Sequence, residues 1–152
     1  SEEQGDENRK NMFEAGQRAG FTFNFDGKRI MINSFDLHRL LMWAREEGKQ
    51  TKLKLAFFEA HFTDLKYLNQ EEALLDVVET VGLDKETARS ILHSDKYVQD
   101  VRQEQDNFKQ MGITSVPTFI INDKYALTGG QPSDSFIQAL KQISEEEAKQ
   151  DA

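Results

Sequence analysis

Apolar residues recur along most of the chain at the three- and four-residue spacing of amphipathic helices, which predicts a mostly helical protein. One helix is predicted over residues 4–19, and five more lie between residues 33 and 112, joined by links short enough to favour antiparallel packing. The last of the five is expected to turn Phe108 and Met111 inward. Trp43 lies off the apolar stripe of its own helix, so we expect it to pack against a neighbouring domain or to line a groove. Residues with the preferences of N-terminal caps precede the five helices: Asn33, Thr51, Asn69, Asp84 and Ser94 or Asp95.

Two segments replace this spacing with the alternation that is typical of β-strands. Residues 21–25 read Phe-Thr-Phe-Asn-Phe, an Asp-Gly pair follows, and Ile30 and Ile32 then lie on one side. This pattern predicts a β-hairpin over residues 21–32, with a structured loop packed by its three phenylalanines as the alternative. A second hairpin is predicted from residues 118–121 and 125–127, with the Tyr125 hydroxyl at the surface. It is followed by an amphipathic helix that begins with Ser133 as its cap.

The predicted fold class is therefore α+β and mostly helical, in two parts. Residues 4–111 form a helical domain that includes the hairpin at 21–32, and residues 112–145 form a β-β-α unit. Two short strands and one helix leave a sheet edge and a sheet face unsatisfied. We therefore expect the second hairpin to pair either with residues 21–32 or with a second copy of the chain, as a homodimer.

Charge and composition limit the kinds of partner that the chain is expected to bind. The net charge of −8 is concentrated at the two ends, because residues 1–8 hold four acids and no base and residues 144–152 hold four acids and one lysine. The nearly neutral body offers no basic patch, so nucleic acid is not an expected partner. No apolar run approaches the roughly 18 residues of a membrane span, so a membrane is not expected either.

The absence of cysteine limits the chemistry of these 152 residues. Disulfides, thiolate catalysis and cysteine-ligated zinc are excluded within the chain. His38, His61 and His93 lie 23 and 32 residues apart, which is not the spacing of a metal site, and no metal or cofactor is predicted. Ser34, Asp36 and His38 share the first turns of one helix, where capping explains the first two better than a catalytic triad does.

The segment Gly-Ile-Thr-Ser-Val-Pro-Thr-Phe at residues 112–119 is the most distinctive part of the sequence. A proline is tolerated at the start of a strand, where its missing N–H is least costly. Local physics favours a trans Val116–Pro117 bond, because only about 5–6% of such bonds in folded proteins are cis.

Residues 112–132, followed by Phe136 and Ala139-Leu140, closely resemble the C-terminal signature of the DsbA-like thioredoxin family, and most of all its FrnE-type branch. Residues 33–39 (Asn-Ser-Phe-Asp-Leu-His-Arg) and 60–62 (Ala-His-Phe) resemble the helical domain inserted in that branch. The resemblance extends from about Asn8 to Ile143.

This resemblance implies a substrate-binding role for four residues. Pro117 would be the cis-proline that faces the active-site dithiol, and the backbone of Val116 would pair with an extended substrate. Thr118 would begin the strand, and His38 would line the cleft. The implied partner is a protein or a small thiol or disulfide, and the branch's frequent location implies a cytoplasmic protein.

The chain departs from the family in one respect. Members carry a Cys-x-x-Cys in an N-terminal strand-helix-strand portion that has no counterpart here, so no catalytic residue is assigned and the chain is expected to be inactive alone. The sequence is interpreted as a truncated form, a proteolytic remnant or a cropped gene model of a dithiol–disulfide oxidoreductase, supplying its helical cap and cis-proline loop.

Two alternatives stay open. One is part of a kappa-like glutathione-dependent isomerase or transferase, similar to 2-hydroxychromene-2-carboxylate isomerase, and the other is a non-enzymatic helical binding module.

Overall fold

The computed structural model describes residues 2–25 and 31–150 of the chain. Within that part it has the expected mostly helical α+β composition, divided into two compact units, Ser1–Glu104 (unit 1) and Gln105–Ala152 (unit 2). The division falls inside a helix, seven residues before the boundary predicted at 111/112. The elements in chain order are α1 (Glu2–Arg18), α2 (Phe35–Glu46), α3 (Gln50–Phe58), α4 (Glu71–Thr80), α5 (Lys85–Leu92), α6 (Val98–Gln110), β1 (Thr118–Ile121), β2 (Tyr125–Thr128) and α7 (Ser133–Gln150). No helix in the described ranges has both the length and the apolar character needed to cross a membrane.

The hydrophobic core of unit 1 is formed mainly by α2, α3, α4 and α5, which pack in sequence order, with α2 also contacting α5. Leu40, Leu53 and Leu75 are completely buried in it. Trp43 is only 5% exposed and belongs to this core, so the expectation that it faces another domain or a groove is wrong. Because α2 packs against both α3 and α5, its buried side is wider than the stripe that the sequence pattern shows.

Only some of the residues predicted as N-caps bind the first backbone N–H groups of their own helix. Asp84 caps α5 as predicted, accepting a hydrogen bond from the Thr87 backbone N–H at 2.7 Å. Asn69 does not cap α4: its Oδ1 accepts from the Asn33 N–H at 2.8 Å and its Nδ2 donates to the Met31 carbonyl at 3.3 Å. The side chain that should satisfy its own helix is therefore used for a tertiary contact. Lys49, not Thr51, occupies the N-cap of α3.

Residues 21–25 are not a β-strand, so the first half of the predicted hairpin is wrong, and residues 26–30 lie outside the described residues. The segment instead hydrogen-bonds to the π-helical turn Glu59–Thr63 that continues α3: the Asn24 N–H donates to the Phe62 carbonyl at 2.8 Å. The Phe23 ring lies 5.5 Å from the Phe62 ring and against Gly16 of α1. The segment is therefore the alternative, a loop packed by aromatic rings. The ring contacts and the hydrogen bond to Phe62 stabilise it without a partner strand.

Unit 2 consists of a β-hairpin and α7, with the last part of α6. β1 and β2 pair antiparallel, with Thr118 opposite Thr128 and Ile120 opposite Ala126, and this pair is the whole sheet within the described residues. Helix α7 lies on one face of the hairpin, where the Phe136 ring meets the Phe119 ring edge-on at 4.7 Å.

Two details of unit 2 differ from the sequence prediction. Ser133 is the first helical residue of α7 rather than its cap, and the Pro132 carbonyl accepts the first hydrogen bonds of the helix. The Tyr125 hydroxyl is buried without a hydrogen-bond partner among the described residues, whereas the sequence placed it at the surface. Ile143 is the only apolar side chain in the described part of unit 2 that is buried.

Candidate functional site

The loop at residues 112–117 starts where α6 ends. Gly112 has a φ of +74°, which a glycine adopts without steric cost. Its N–H donates to the Lys109 carbonyl at 2.9 Å, and the Ile113 N–H donates back to the Phe108 carbonyl at 3.1 Å. These bonds satisfy the last carbonyls of α6 and turn the chain toward β1.

The far end of the loop contains a cis peptide bond and is held by two hydrogen bonds. The Val116–Pro117 peptide bond is cis, as the resemblance implies. The Thr118 hydroxyl donates to the Ser115 carbonyl at 2.7 Å, and the Gly129 N–H donates to the Pro117 carbonyl at 2.8 Å. Between these anchors Val116 is 91% exposed, and neither its N–H nor its carbonyl has a partner in the described part of the chain.

The hydrogen bond from Gly129 to Pro117 also fixes which backbone groups of β1 are free. In an antiparallel ladder, alternate residues direct their N–H and carbonyl toward the partner strand, and the residues between them direct theirs away. Pro117 and Phe119 therefore pair with β2, while Val116, Thr118 and Ile120 point their backbone groups to the other edge. We call this row of three residues the open edge of β1.

An open groove of about 670 Å³ runs beside the same residues. Val116, Thr118 and Ile120 line it from the hairpin side, and Phe108 and Lys109 line it from α6. Its surface is mainly apolar, and Lys109, which forms an ion pair with Asp106 at 3.2 Å, is the cation on its rim. A groove of this kind accepts an apolar side chain next to an uncharged backbone.

Three of the four predicted site residues lie in unit 2 and the fourth lies in unit 1. Val116, Pro117 and Thr118 are consecutive in unit 2. His38 lies in unit 1, exposed on α2, with its backbone N–H bonded to the Ser34 carbonyl at 3.0 Å. In the described residues no three His, Cys, Asp or Glu side chains are grouped closely enough to hold a metal ion.

The clearest electrostatic effects are in unit 1, where α4 meets α5. Glu71 hydrogen-bonds His93 at 2.8 Å and Arg89 at 2.7 Å, and these contacts lower the pKa of its carboxyl. His61, in the π-helical turn, has its pKa lowered by burial, and its Nδ1 has no partner in the described ranges. All of these residues lie within unit 1.

Sequence reasoning missed the contribution of α6 to the groove. Phe108 and Met111 were expected inside, but they are 48% and 54% exposed. Their helical spacing shows that the two side chains lie on the same face of α6. It does not show whether another element packs against that face. The apolar character of Phe108 so near the Val-Pro sequence was the available signal.

Three findings from comparison with known proteins bear on this site. The family model described as the DSBA-like thioredoxin domain matches residues 1–141. An uncharacterized protein of Bacillus subtilis, YwbO, is 32% identical over 109 residues, which is 70% of this chain and 52% of that protein. The crystal structure of a probable DsbA oxidoreductase from Streptomyces coelicolor has a TM-score of 0.85 and 31% identity, and the match covers 96% of this chain and 63% of that one.

The chain thus spans about half of the length of the curated relative and less than two thirds of that of the solved structure. The family match includes the loop, β1, β2 and the first half of α7. By sequence and by structure, this chain belongs to the DSBA-like thioredoxin domain family.

Proposed function

We propose that these 152 residues supply the helical part and the substrate-side loop of a protein dithiol–disulfide oxidoreductase of the FrnE-type branch, whose cysteine pair lies outside this sequence. The observation that carries the proposal is the free backbone of Val116, held in the open at the start of β1 in a chain of this family. The match to a probable DsbA oxidoreductase over nearly all of the chain supports it.

The chemistry assigns a limited role to this chain. In oxidation of a substrate, a substrate thiolate attacks the enzyme disulfide, forms a mixed disulfide and releases one enzyme thiolate. A second substrate thiolate then displaces the other enzyme sulfur, so that the substrate disulfide forms and two electrons remain on the enzyme dithiol. The present residues contain no sulfur nucleophile, and their role is to hold the substrate backbone in line for these attacks.

The geometry around Val116 favours an extended polypeptide as the ligand. One N–H and one carbonyl, both unpaired, are what an incoming strand uses for a pair of backbone hydrogen bonds. The groove lined by Phe108, Ile113 and Ile120 adds an apolar surface for one side chain beside that backbone. Backbone pairing gives little sequence selectivity, which suits an enzyme that acts on many unfolded substrates.

Peptide binding by the chain itself tests this proposal. A short extended peptide with one S-methylated cysteine is added to dilute ¹⁵N-labelled protein, and amide chemical shifts and exchange rates are recorded. We expect a saturable shift and slowed exchange of the Val116 amide, with the Leu75 amide in the core of unit 1 as an internal control. The Val116→Ala variant should still show the shift of the residue-116 amide, because the backbone groups that pair with the peptide are kept.

The same titration separates the alternatives. A Val116 amide that is unaffected by saturating peptide contradicts the proposal. Perturbation of the loop by glutathione and not by the peptide favours the glutathione-dependent isomerase or transferase class instead. In an insulin-reduction assay the 152-residue chain should show no turnover, since it has no thiol.

His38 is a separate part of the proposal, because only the resemblance assigns it. We propose that it lines the substrate cleft of the whole protein. The His38→Ala variant should leave the unfolding of unit 1 nearly unchanged, since the side chain is exposed, while weakening peptide binding. Unchanged binding would remove His38 from the site.

A further inference from the structure

We propose that His61 is the sensor of a pH-dependent conformational switch: when its ring binds a proton, residues 21–25 detach from the π-helical turn Glu59–Thr63. We call residues 21–25 the aromatic loop. The proposal is independent of the proposed function, because every group that it uses lies in unit 1 and none belongs to the loop around Val116.

The aromatic loop supplies hydrogen-bond donors to the end of the π-helical turn. The turn itself is closed by the Asp64 N–H, which donates to the Glu59 carbonyl at 3.0 Å. The next carbonyls accept from the loop: the Asn24 N–H donates to the Phe62 carbonyl at 2.8 Å, and the Asn24 Nδ2 donates to the Thr63 carbonyl at 3.3 Å. Because a helix end leaves such carbonyls without helical donors, Asn24 caps the turn from outside it.

Side chains of the turn complete the contact with the loop. The Thr63 hydroxyl donates to the Thr22 carbonyl at 2.6 Å, and the Phe62 ring lies 5.5 Å from the Phe23 ring. The His61 ring meets the other side of this contact, with its centroid 4.6 Å from that of Phe62 and the two planes at 69°. The shape of the turn at residues 61–63 therefore decides whether the aromatic loop can bind.

His61 can keep this shape only while its ring is neutral. Its Nδ1 atom is enclosed and has no hydrogen-bond partner within the described residues. In the neutral ring with the proton on Nε2, Nδ1 is a bare acceptor, whereas protonation adds an N–H and a positive charge there. A buried charged donor without an acceptor is costly. Since the atom is already enclosed, neither water nor another polypeptide segment reaches it until the turn changes shape.

No nearby charge offsets the cost of protonation. The charged residues in and next to the turn, in α3 and at the end of α1 are Arg18, Lys52, Lys54, Glu59, Asp64 and Lys66. The aromatic loop itself carries no charged residue. Asp64 is paired with Lys66 at 3.8 Å, and no carboxylate in the described ranges forms an ion pair with His61. Burial is what lowers the pKa of the His61 imidazole from its ordinary value of 6.5.

The lowered pKa makes the docked loop sensitive to acid. In the open turn the His61 ring is hydrated and binds a proton at its ordinary pKa, so the open state binds more protons than the docked state below pH 6.5. The docked state is therefore fully stable above pH 6.5 and loses stability as the pH falls through the lowered pKa. Opening the turn moves the Phe62 and Thr63 carbonyls away from Asn24, and the rings of Phe62 and Phe23 become accessible.

Amide exchange and imidazole chemical shifts of the ¹⁵N-labelled 152-residue chain test the switch. The protection factor of the Asn24 amide, which corrects for the pH dependence of intrinsic exchange, should fall at least about threefold between roughly pH 7.5 and pH 5. The Leu75 amide in the core should keep its protection. The His61 ring should titrate below 6.5, and its midpoint should coincide with that of the Asn24 amide. A His61 pKa at or above 6.5, or constant protection of Asn24, would overturn the proposal.

The other histidines of the chain provide matched controls. His61→Phe keeps an aromatic ring that cannot bind a proton, so the Asn24 amide should be equally protected at both pH values. His38→Gln and His93→Gln remove exposed imidazoles and should keep the pH dependence of the unmodified chain. A His61→Phe variant that retains the full pH dependence, or a loss of it in either control, assigns the effect to another group and disproves the switch. The imidazole titration of the unmodified chain decides the question even if His61→Phe does not fold.

Discussion

Arg39 of α2 is the one buried charged side chain among the described residues. Its guanidinium lies against the C-terminal end of α5. Its guanidinium donates to the carbonyls of Ile91 and Ser94, to the Lys96 carbonyl at 3.0 Å and to Asp36 at 2.9 Å. The Ile91 carbonyl belongs to the last turn of α5, where a helix leaves its carbonyls without helical partners, and Ser94 and Lys96 lie in the loop after it. The Arg39 side chain of α2 therefore binds both the C-terminal end of α5 and the loop that follows it.

Replacing Arg39 with leucine should lower the free energy of unfolding by about 3 kcal/mol, because the buried carbonyls lose their donor. Urea unfolding followed by the fluorescence of Trp43, the only tryptophan and a core residue of the same unit, measures this directly. Arg45→Leu is the matched control: that side chain is 66% exposed and makes a single 3.5 Å ion pair with Glu104, so the loss should stay below about 1 kcal/mol. Similar losses in both variants would refute the assigned role of Arg39.

The sequence predicts single residues well where their partners are close along the chain. Asp84 was correctly predicted as a cap because the group that it binds is three residues away. The role of Arg39 was not predictable, since the carbonyls that it binds lie more than fifty residues away. Asn69 fits its capping pattern as well as Asp84 does, and only the fold directs it elsewhere.

At the scale of elements, the packing of α1 against the aromatic loop depends on the absence of one side chain. A Cβ added at Gly16 would lie 2.5 Å from the Phe23 ring and 2.8 Å from the Phe21 carbonyl, whereas one added at Gly5 in the same helix would meet nothing within 4 Å. Alanine substitutions at the two glycines therefore distinguish the effect of helix propensity, which both share, from the effect of packing, which only Gly16 has.

Gly5→Ala should raise the free energy of unfolding by up to about 1 kcal/mol through better helix propensity. Gly16→Ala should lower it by about 1–3 kcal/mol despite the same gain, because the loop must move away. Thermal unfolding by circular dichroism compares the two variants. The packing argument fails if Gly16→Ala is as stable as Gly5→Ala.

The cap of α5 gives a pH dependence with a definite sign. Hydrogen bonds from the Thr87 hydroxyl and backbone N–H lower the pKa of Asp84 below its ordinary value of 3.8. A carboxyl whose pKa is lower in the folded state stabilises the protein above its unfolded pKa, and this contribution disappears as the pH falls through the folded pKa.

The Asp84→Ala variant should therefore be less stable than the wild type at pH 7, and the two should converge below pH 3.8. Urea titrations at a series of pH values measure the difference. Asp95→Ala, which removes a nearby carboxylate that caps nothing in the described residues, should show a smaller difference with no comparable trend. A gap for Asp84→Ala that is constant with pH would contradict this assignment.

Element type was predictable wherever the hydrophobic period was long, as in α2, α4 and α7. Alternation over five residues was not sufficient at 21–25, because three phenylalanines spaced by two suit a packed loop as well as a strand. The face that each element buries was less predictable: Trp43 was placed outside the core and Phe108 inside, and both assignments were wrong.

At the scale of the whole molecule, the two units differ sharply in how much they bury. Leu40, Leu75 and Val78 of unit 1 are completely enclosed, whereas unit 2 has one buried apolar side chain within the described residues. The two units should consequently open with different free energies.

Native-state hydrogen exchange on dilute protein should show this difference. The amide of Val78 in α4 should exchange at least a hundredfold more slowly than the amide of Leu127, which is hydrogen-bonded within the hairpin. Equal protection of the two amides would show that the units unfold together and that the hairpin has more support than its own burial provides.

The family was recognisable from one stretch of about twenty residues, and the fold and the family match agree with it. The loop was predictable because its residue types are unusual and consecutive. The groove beside it was not, since three of its nine lining residues come from α6, a helix whose sequence is ordinary.

The π-helical turn at Glu59–Thr63 has a consequence for the register of the side chains in and after it. A wide turn of this kind holds one residue more than an α-helical turn. Winding the same residues as a regular α-helix would swing each later side chain by about 100° around the axis. The Phe62 ring would then leave Phe23, so the wide turn keeps two distant parts of the sequence in phase.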